Sequence, residues 1–267
     1  MAELEITSPT NPRLKGLVAL RRRRAREQSG TTLVEGYEEL RLALDAGVEP
    51  RAVYHCPELM LDAAVRHDVL DAARDRGSDV VRLGRAAFER TAYREGPDGF
   101  VAEVPAPGLA LGDLVLGAEP LVLVAEHVEK PGNLGAMLRT ADAAGVDAVV
   151  AVDPVTDWGN PNVVRSSKGT VFSVPVASTD LTGLLGWLGD HGIRLVATTP
   201  AAESLHTAVD LTGPLAVAVG AEKDGLTHAA LAAAADRVRI PMAGIVNSLN
   251  VATSAAIVVY EAVRQRR

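Results

Sequence analysis

The sequence predicts an α/β protein made of a small α/β domain over 1–104, a linker over 105–120 and a larger parallel-sheet α/β domain over 121–267. Three observations predict it. Helix and strand signals alternate up to residue 104. A Pro- and Gly-rich stretch without a strong hydrophobic period follows, P-A-P-G-L-A-L-G-D-L-V-L-G-A-E-P. Beyond it, six short apolar runs recur with helical segments between most of them, the pattern of a parallel sheet covered on both faces.

In chain order, M-A-E-L-E-I-T lacks the basic-then-apolar order of a signal peptide. The basic segment N-P-R-L-K-G-L-V-A-L-R-R-R-R-A-R-E (11–27) reads as a helix. T-T-L-V-E-G (31–36) reads as a strand and Y-E-E-L-R-L-A-L-D-A-G (37–47) as a helix ending at its glycine. R-A-V-Y-H-C (51–56) is a second strand, roughly 60–76 a helix, and G-F-V-A-E-V (99–104) a third strand. After the linker, strands are expected at 121–125, 148–152, 173–177, 194–198, 215–220 and 238–242. The segment L-N-V-A-T-S-A-A-I-V-V-Y-E-A-V (249–263) is apolar or small nearly all round, so a helix there needs cover on several sides. A partner subunit, most simply in a twofold dimer, would supply it.

Composition bounds the class. Hydrophobic residues make up 48% and charged residues 23% of the 267, as in ordinary globular proteins. No apolar run nears the roughly 18 residues of a membrane span, and a cytoplasmic location is expected. Cys56 is the lone cysteine, read as a buried thiol, so no internal disulfide or thiolate metal cage can form. The net charge of −7 argues against nucleic acid, but its distribution argues the other way. Positive charge gathers at 11–27 and in V-R-Q-R-R (263–267), where a solvated helix face is the alternative reading.

Common catalytic signatures are missing. No G-x-G-x-x-G or P-loop follows a strand, no G-x-S-x-G elbow is present, and the histidines at 55, 67, 127, 191, 206 and 228 lack metal-ligand spacing. No metal is expected. In parallel sheets ligands sit beyond the carboxyl ends of strands, and three loops there are unusual. The first is E-H-V-E-K-P-G-N-L-G-A-M-L-R-T-A-D-A-A-G (126–145), with Asn133 as a helix cap and Gly132 and Gly135 as points of close backbone approach. Its helix places Leu134, Met137, Leu138, Ala141 and Ala144 on one face and Arg139 on the other, solvated beside Asp142 or aimed at a ligand. The second is V-G-A-E-K-D-G-L (219–226), whose Glu222 is a turn residue or a ligand contact. The third is I-P-M-A-G-I-V-N-S-L-N-V-A-T-S-A-A (240–256), which sets Asn247, Ser248 and Asn250 among apolar residues. One helix start needs one cap, so capping explains one of the three.

Taken in order, these loops resemble the three motifs of the SpoU branch of the SPOUT methyltransferases, which methylate RNA ribose 2′-hydroxyls. E-K-P-G-N-L-G-A-M-L-R-T-A-D-A-A-G resembles the first motif, G-A-E-K-D-G-L the second and I-P-M-A-G-I-V-N-S-L-N-V-A the third. The likeness spans about 121–267; I-T-S-P-T-N-P-R-L-K and L-V-E-G are similar to the ribosomal-protein-like RNA-binding domain that precedes many such enzymes. It implies a parallel α/β domain with a trefoil knot, which strand patterns could not indicate, and a homodimer. It implies S-adenosyl-L-methionine as cofactor, held by Thr198, Thr199, Pro200, Gly220, Ala221, Glu222, Ile240, Met242, Ser248 and Leu249. Asn133, Arg139, Glu222, Ser248 and Asn250 match the motifs' polar positions and stand as catalytic candidates. Arg13, Lys15, Arg22, Arg139, Arg165 and Lys168 are the candidates for RNA contact. The second motif usually carries Asn or Ser where this chain has Ala221, so that side-chain hydrogen bond is lost while the backbone turn persists.

The implied substrate is 23S ribosomal RNA, with transfer RNA as the alternative. Some relatives of this layout confer resistance to ribosome-directed antibiotics of the thiostrepton or avilamycin kind. Two rival readings are a non-catalytic RNA-binding scaffold of the same fold and a nucleotide-dependent enzyme acting on a small molecule. The first predicts no cofactor binding; the second predicts no salt-sensitive RNA retention.

Overall fold

A computed structural model describes residues 4–60 and 68–267, so the expected helix at 60–76 lies partly outside the described residues. The chain forms two compact units, one of Met1–Pro107 with Asp157–Ser173, the other of Gly108–Thr156 with Val174–Arg267. The segment Asp157–Ser173, inside the range read from sequence as the second domain, clusters with the first unit.

The first unit runs β1 (Leu4–Ile6), α1 (Pro12–Ala19), α2 (Arg23–Ser29), β2 (Thr31–Glu35), α3 (Tyr37–Asp45), β3 (Ala52–His55), α4 (Asp68–Asp75), β4 (Asp79–Leu83), α5 (Arg85–Thr91) and β5 (Phe100–Pro105). Its sheet has the order β1-β4-β3-β5-β2, parallel across β1, β4 and β3 and antiparallel across β5 and β2. Asn11 caps α1 by accepting from the Arg13 amide, with Pro12 at the first helical position. Leu14, Leu17 and Leu20 then pack with Tyr54, Val81, Leu83 and Phe88 in the core. Burying each such side chain stabilises the fold by about 1.5–3 kcal/mol. Cys56 is fully buried there, just past β3, and burial pushes its thiol pKa up.

The basic segment expected as one helix is instead two. The break turns Arg26 inward, where it is 3% exposed and donates to both carboxylate oxygens of Asp157 and to the Leu20 carbonyl. A buried guanidinium needs such saturation, because an unpaired one would be costly. Arg22, Arg23 and Arg24 stay exposed. In the first unit β1, β4 and α5 escaped the sequence reading, β4 because its D-V-V-R-L carries Asp79 and Arg82.

The second unit contains β6 (Leu121–Glu126), α6 (Pro131–Ala144), β7 (Ala148–Val152), β8 (Val176–Thr179), α8 (Leu181–Asp190), β9 (Arg194–Thr198), β10 (Ser204–Leu205), β11 (Leu215–Val219), α9 (His228–Ala233), β12 (Asp236–Arg239) and α10 (Val251–Gln265). The helix α7 (Pro161–Ser166) belongs to the first unit's inserted segment. The seven strands pair in parallel in the order β10-β12-β9-β11-β6-β7-β8. On one face Val122, Val124, Val150, Ala216 and Ala218 pack with Leu184, Trp187 and Leu188 of α8 and Ala230 of α9. The alternate residues, Leu123, Val149, Val196 and Val217 among them, point the other way and are equally buried. On that side α10 lies along α6, β9 and β11.

Expected strands at 173–177 and 238–242 are displaced to Val176–Thr179 and Asp236–Arg239. Pro175 and Pro241 have no N–H to give a ladder, so each strand lies clear of its proline. The expected linker is partly structured: Leu109 donates to the Val176 carbonyl at 2.8 Å, and Leu111, Leu114 and Leu116 join the core of the second unit. No described helix is long and apolar enough to cross a membrane.

Candidate active site

The strands β12, β9, β11 and β6 are neighbours and all run parallel, so the loops that follow them leave the same edge of the sheet. Those loops carry the three unusual stretches.

The first loop enters α6 at Lys130, which is the N-cap residue, with Pro131 at the first helical position. Asn133 is therefore not the cap. The proline sets the start of the helix, which leaves Asn133 inside the first turn with its side chain free for tertiary use. Its Nδ2 donates to Glu222 Oε1 and its Oδ1 accepts from Asn250 Nδ2 at 3.0 Å. Asn133 is 9% exposed, so both ends of its amide are satisfied inside the protein. Gly132, expected at a close approach, has open space where a Cβ would stand. Leu134, Met137, Leu138 and Ala141 are buried along one face of α6, and Arg139 is exposed on the other. Arg139 makes no hydrogen bond or ion pair among the described residues, so it is not held by Asp142.

The second loop leaves β11 through Gly220, where a Cβ would stand 2.1 Å from the Gly225 carbonyl carbon and 2.2 Å from the Leu226 amide nitrogen. Only glycine fits. The turn closes as the Gly225 amide donates to the Ala221 carbonyl at 3.0 Å, with Gly225 at φ +70°. No side chain at 221 is needed to close it. Beyond the turn, the Thr227 amide and hydroxyl donate to the two oxygens of Glu126, each at 2.7 Å, while Thr227 caps α9. Glu126, 1% exposed at the end of β6, went unnoticed in the sequence. Its signal was a lone carboxylate closing the apolar run L-V-L-V-A-E.

The third loop is open. Residues 243–250 are exposed in the single chain, Ile245 and Val246 included, so the apolar context of Asn247, Ser248 and Asn250 does not make them dry. Asn250 is the N-cap of α10, its Oδ1 accepting from the amides of Ala252 at 2.9 Å and Thr253 at 3.4 Å. Asn247 and Ser248 have no partner among the described residues. Nor is α10 buried all round: Val251, Ala252, Ala255, Val258, Val259 and Ala262 are covered, while Tyr260 is 46% exposed.

Of the remaining candidates, Thr198 ends β9 and its Oγ1 is buried without a hydrogen-bond partner among the described residues. Thr199 donates its amide to the Val238 carbonyl at 2.9 Å, which ties β9 to β12 just before Ile240 and Met242. Pro200 and Leu249 are exposed. Among the basic candidates, Arg13 pairs with Asp79 at 3.0 Å, Lys15 and Arg22 are exposed, and Arg165 and Lys168 lie in the inserted segment of the first unit. The basic tail is tied down instead, since Arg264 pairs with Glu261 and Arg266 donates to the carbonyls of Glu119, Pro120 and Gly213.

The model of the SpoU rRNA methylase family matches residues 120–260, more than half of the chain and all three loops. The chain belongs to that family. This SpoU member is an RNA 2′-O-ribose methyltransferase that uses S-adenosylmethionine. An MRM3-like substrate binding domain matches residues 11–102, the larger part of its first unit. The SpoU member is 36% identical over 204 residues to the 23S rRNA (guanosine-2′-O-)-methyltransferase RlmB of Ralstonia nicotianae, covering 74% of this chain and 82% of that one. Among solved structures, an RNA 2′-O ribose methyltransferase superposes with a TM-score of 0.85 at 39% identity, over 98% of this chain and 99% of the other. The AdoMet-bound rRNA methyltransferase of Sinorhizobium meliloti gives a TM-score of 0.88 at 29% identity, over 97% of each chain.

Proposed function

We propose that this chain methylates the 2′-hydroxyl of a ribose in 23S ribosomal RNA, with the three loops of the second unit as its active site. The observation that carries the reading is the hydrogen-bonded line Glu222–Asn133–Asn250, which joins one polar side chain from each loop. The substrate follows from the names of the relatives, RlmB of R. nicotianae and the 23S rRNA (guanosine(2553)-2′-O)-methyltransferase RlmP of Bacillus subtilis, the latter 29% identical over 96% of this chain.

The residues fit the cofactor. Thr198 offers a buried hydroxyl with no partner among the described residues, the kind of group a bound ligand satisfies. Ile240 and Met242 are partly buried beside it in the chain's return from β12, and Glu222 supplies a carboxylate that suits a cationic ligand. Thr198, Thr199, Pro200, Gly220, Ala221, Ile240, Met242 and Leu249 would hold S-adenosylmethionine, whose sulfonium makes the methyl group electrophilic.

The chain's own residues then have to position the ribose and stabilise the charge on its oxygen. In-line transfer needs the reacting oxygen within about 3–3.5 Å of the methyl carbon. The exposed Ser248 hydroxyl and the Asn250 amide, fixed by its bond to Asn133, orient the ribose. Arg139 holds the adjacent phosphate and stabilises the alkoxide as it forms. It is not the base, because a guanidinium stays protonated at ordinary pH. Its exposed place on α6 suits a site completed by a second copy, and the exposed apolar residues Ile245, Val246 and Tyr260 suit a homodimer interface on the same unit. Arg13, Lys15, Arg22, Arg165 and Lys168 supply positive charge for RNA on the first unit. A cytoplasmic location accords with such a substrate.

Incubating the purified chain with 23S rRNA and methyl-labelled S-adenosylmethionine, then mapping 2′-O-methyl groups, tests the proposal. One labelled ribose is expected. Label in transfer RNA alone would move the substrate, and no label in any RNA would sink the activity.

A further inference from the structure

Aromatic residues make up only 3% of the chain, and most of them are buried in its cores. Tyr93, in the first unit, is 44% exposed and yet held on every handle it has. Its amide donates to both oxygens of Glu35, at 3.1 and 3.0 Å. Its hydroxyl accepts from Asn162 Nδ2 at 3.1 Å. The guanidinium carbon of Arg21 stands 5.4 Å from its ring centroid, a cation–π distance. Arg21 is anchored in turn by the carbonyls of Thr91 and Ala92, both at 2.8 Å.

An exposed aromatic ring is ordinarily free to move. Here the backbone, the hydroxyl and the ring are each fixed, which removes most of the ordering cost that binding would otherwise carry. Asn162 adds a second feature. Its Nδ2 serves Tyr93 while its Oδ1 accepts from Arg165 Nη2 at 3.1 Å, so one amide sets an aromatic ring and an exposed guanidinium side by side. A flat π surface next to a fixed cation matches a single nucleotide, whose base stacks and whose phosphate pairs.

We propose that Tyr93, braced by Arg21 and Asn162, is a stacking platform for an unpaired base of the RNA substrate, with Arg165 taking a phosphate of the same strand. This rests on RNA being the substrate and names the residue in the first unit that reads a base. An unpaired base is favoured over a duplex because a stacked ring needs an exposed base face.

The test uses the full chain with 23S rRNA, measured as binding across a salt series and as methyl-transfer kinetics. Tyr93→Ala is expected to weaken binding and raise KM by about 5- to 150-fold, the range of base stacking on an aromatic. The slope of log K against log salt should stay unchanged, since no phosphate contact is lost. Tyr93→Phe keeps the ring and is expected within about twofold of wild type. Arg165→Ala should instead lower the slope by about one. Circular dichroism and thermal unfolding of the full chain report whether each variant is folded, and Tyr93→Leu, which keeps apolar bulk under Arg21, replaces Tyr93→Ala where the latter misfolds. Wild-type KM in both Tyr93→Ala and Tyr93→Leu overturns the platform while leaving the methyltransferase intact. A wild-type chain that methylates no RNA fails the activity instead.

Discussion

Asn250 Nδ2 donates to Asn133 Oδ1 at 3.0 Å while Asn250 Oδ1 caps α10. One side chain thus starts the last helix and fixes the first loop to the third. The two duties can be separated. Asn250→Ala loses both and should cost about 1–2 kcal/mol of stability through the cap together with most of the turnover. Asn250→Ser keeps a capping oxygen but cannot span to Asn133. Its stability should stay within about 0.5 kcal/mol of wild type, since serine caps as well as asparagine, while kcat falls at least tenfold. Urea unfolding and single-turnover kinetics read the two effects; full activity in Asn250→Ser would remove the bridge from the mechanism.

Thr198 tests the cofactor site. A buried hydroxyl without a partner costs about 1–3 kcal/mol. Thr198→Val removes that polar atom at nearly constant volume, so the cofactor-free chain should be no less stable, and S-adenosylmethionine should bind about 5- to 10-fold more weakly for the lost hydrogen bond. Unchanged calorimetric affinity would place the cofactor elsewhere.

Arg139 is exposed and makes no hydrogen bond or ion pair among the described residues, so its removal has little structural consequence. Arg139→Ala should stay within about 0.5 kcal/mol of wild-type stability and keep cofactor affinity, yet lose at least 100-fold in turnover. Arg139→Lys keeps the charge without the planar fork and should recover only part of the rate. A wild-type rate in Arg139→Ala would refute the assignment.

Acid lability should trace to the last turn of the chain. Glu261 accepts from Arg264 and Gln265, and these bonds bring its pKa from 4.5 down to about 2. Its folded pKa is depressed, so its contribution to stability is full above pH 4.5 and is lost as pH falls from there through about 2. Gln265 passes the restraint on by accepting from the Leu211 amide at 2.8 Å and donating to the Val209 carbonyl at 3.1 Å. In Glu261→Gln, thermal midpoints should be lower at neutral pH and flatter between pH 4.5 and 2 than in wild type. Parallel profiles for the two proteins would exclude Glu261 as the titrating group.

Much of the second unit was legible because its strands are apolar on both faces, so L-V-L-V-A, A-V-V-A-V and L-A-V-A-V stand out without any partner being known. In the first unit β4 hid, since two charged residues in five, Asp79 and Arg82, break so short a run. The glycines at 220 and 225 were visible as turn residues, but the reason for Gly220, a backbone that passes at 2.1 Å from where its Cβ would be, was not.

The sequence by itself determined the parallel α/β class, the two-part organisation and the three loops proposed as the active site, because hydrophobic period and glycine placement are local properties. Tertiary structure alone decided that Asn133 faces Glu222 and Asn250 rather than capping its own helix, that Arg26 turns inward to Asp157, and that Tyr93 is pinned beside Arg165. Each of these joins residues dozens of positions apart. Which polar atoms meet across such distances is set by strand order and packing, and no local pattern encodes it.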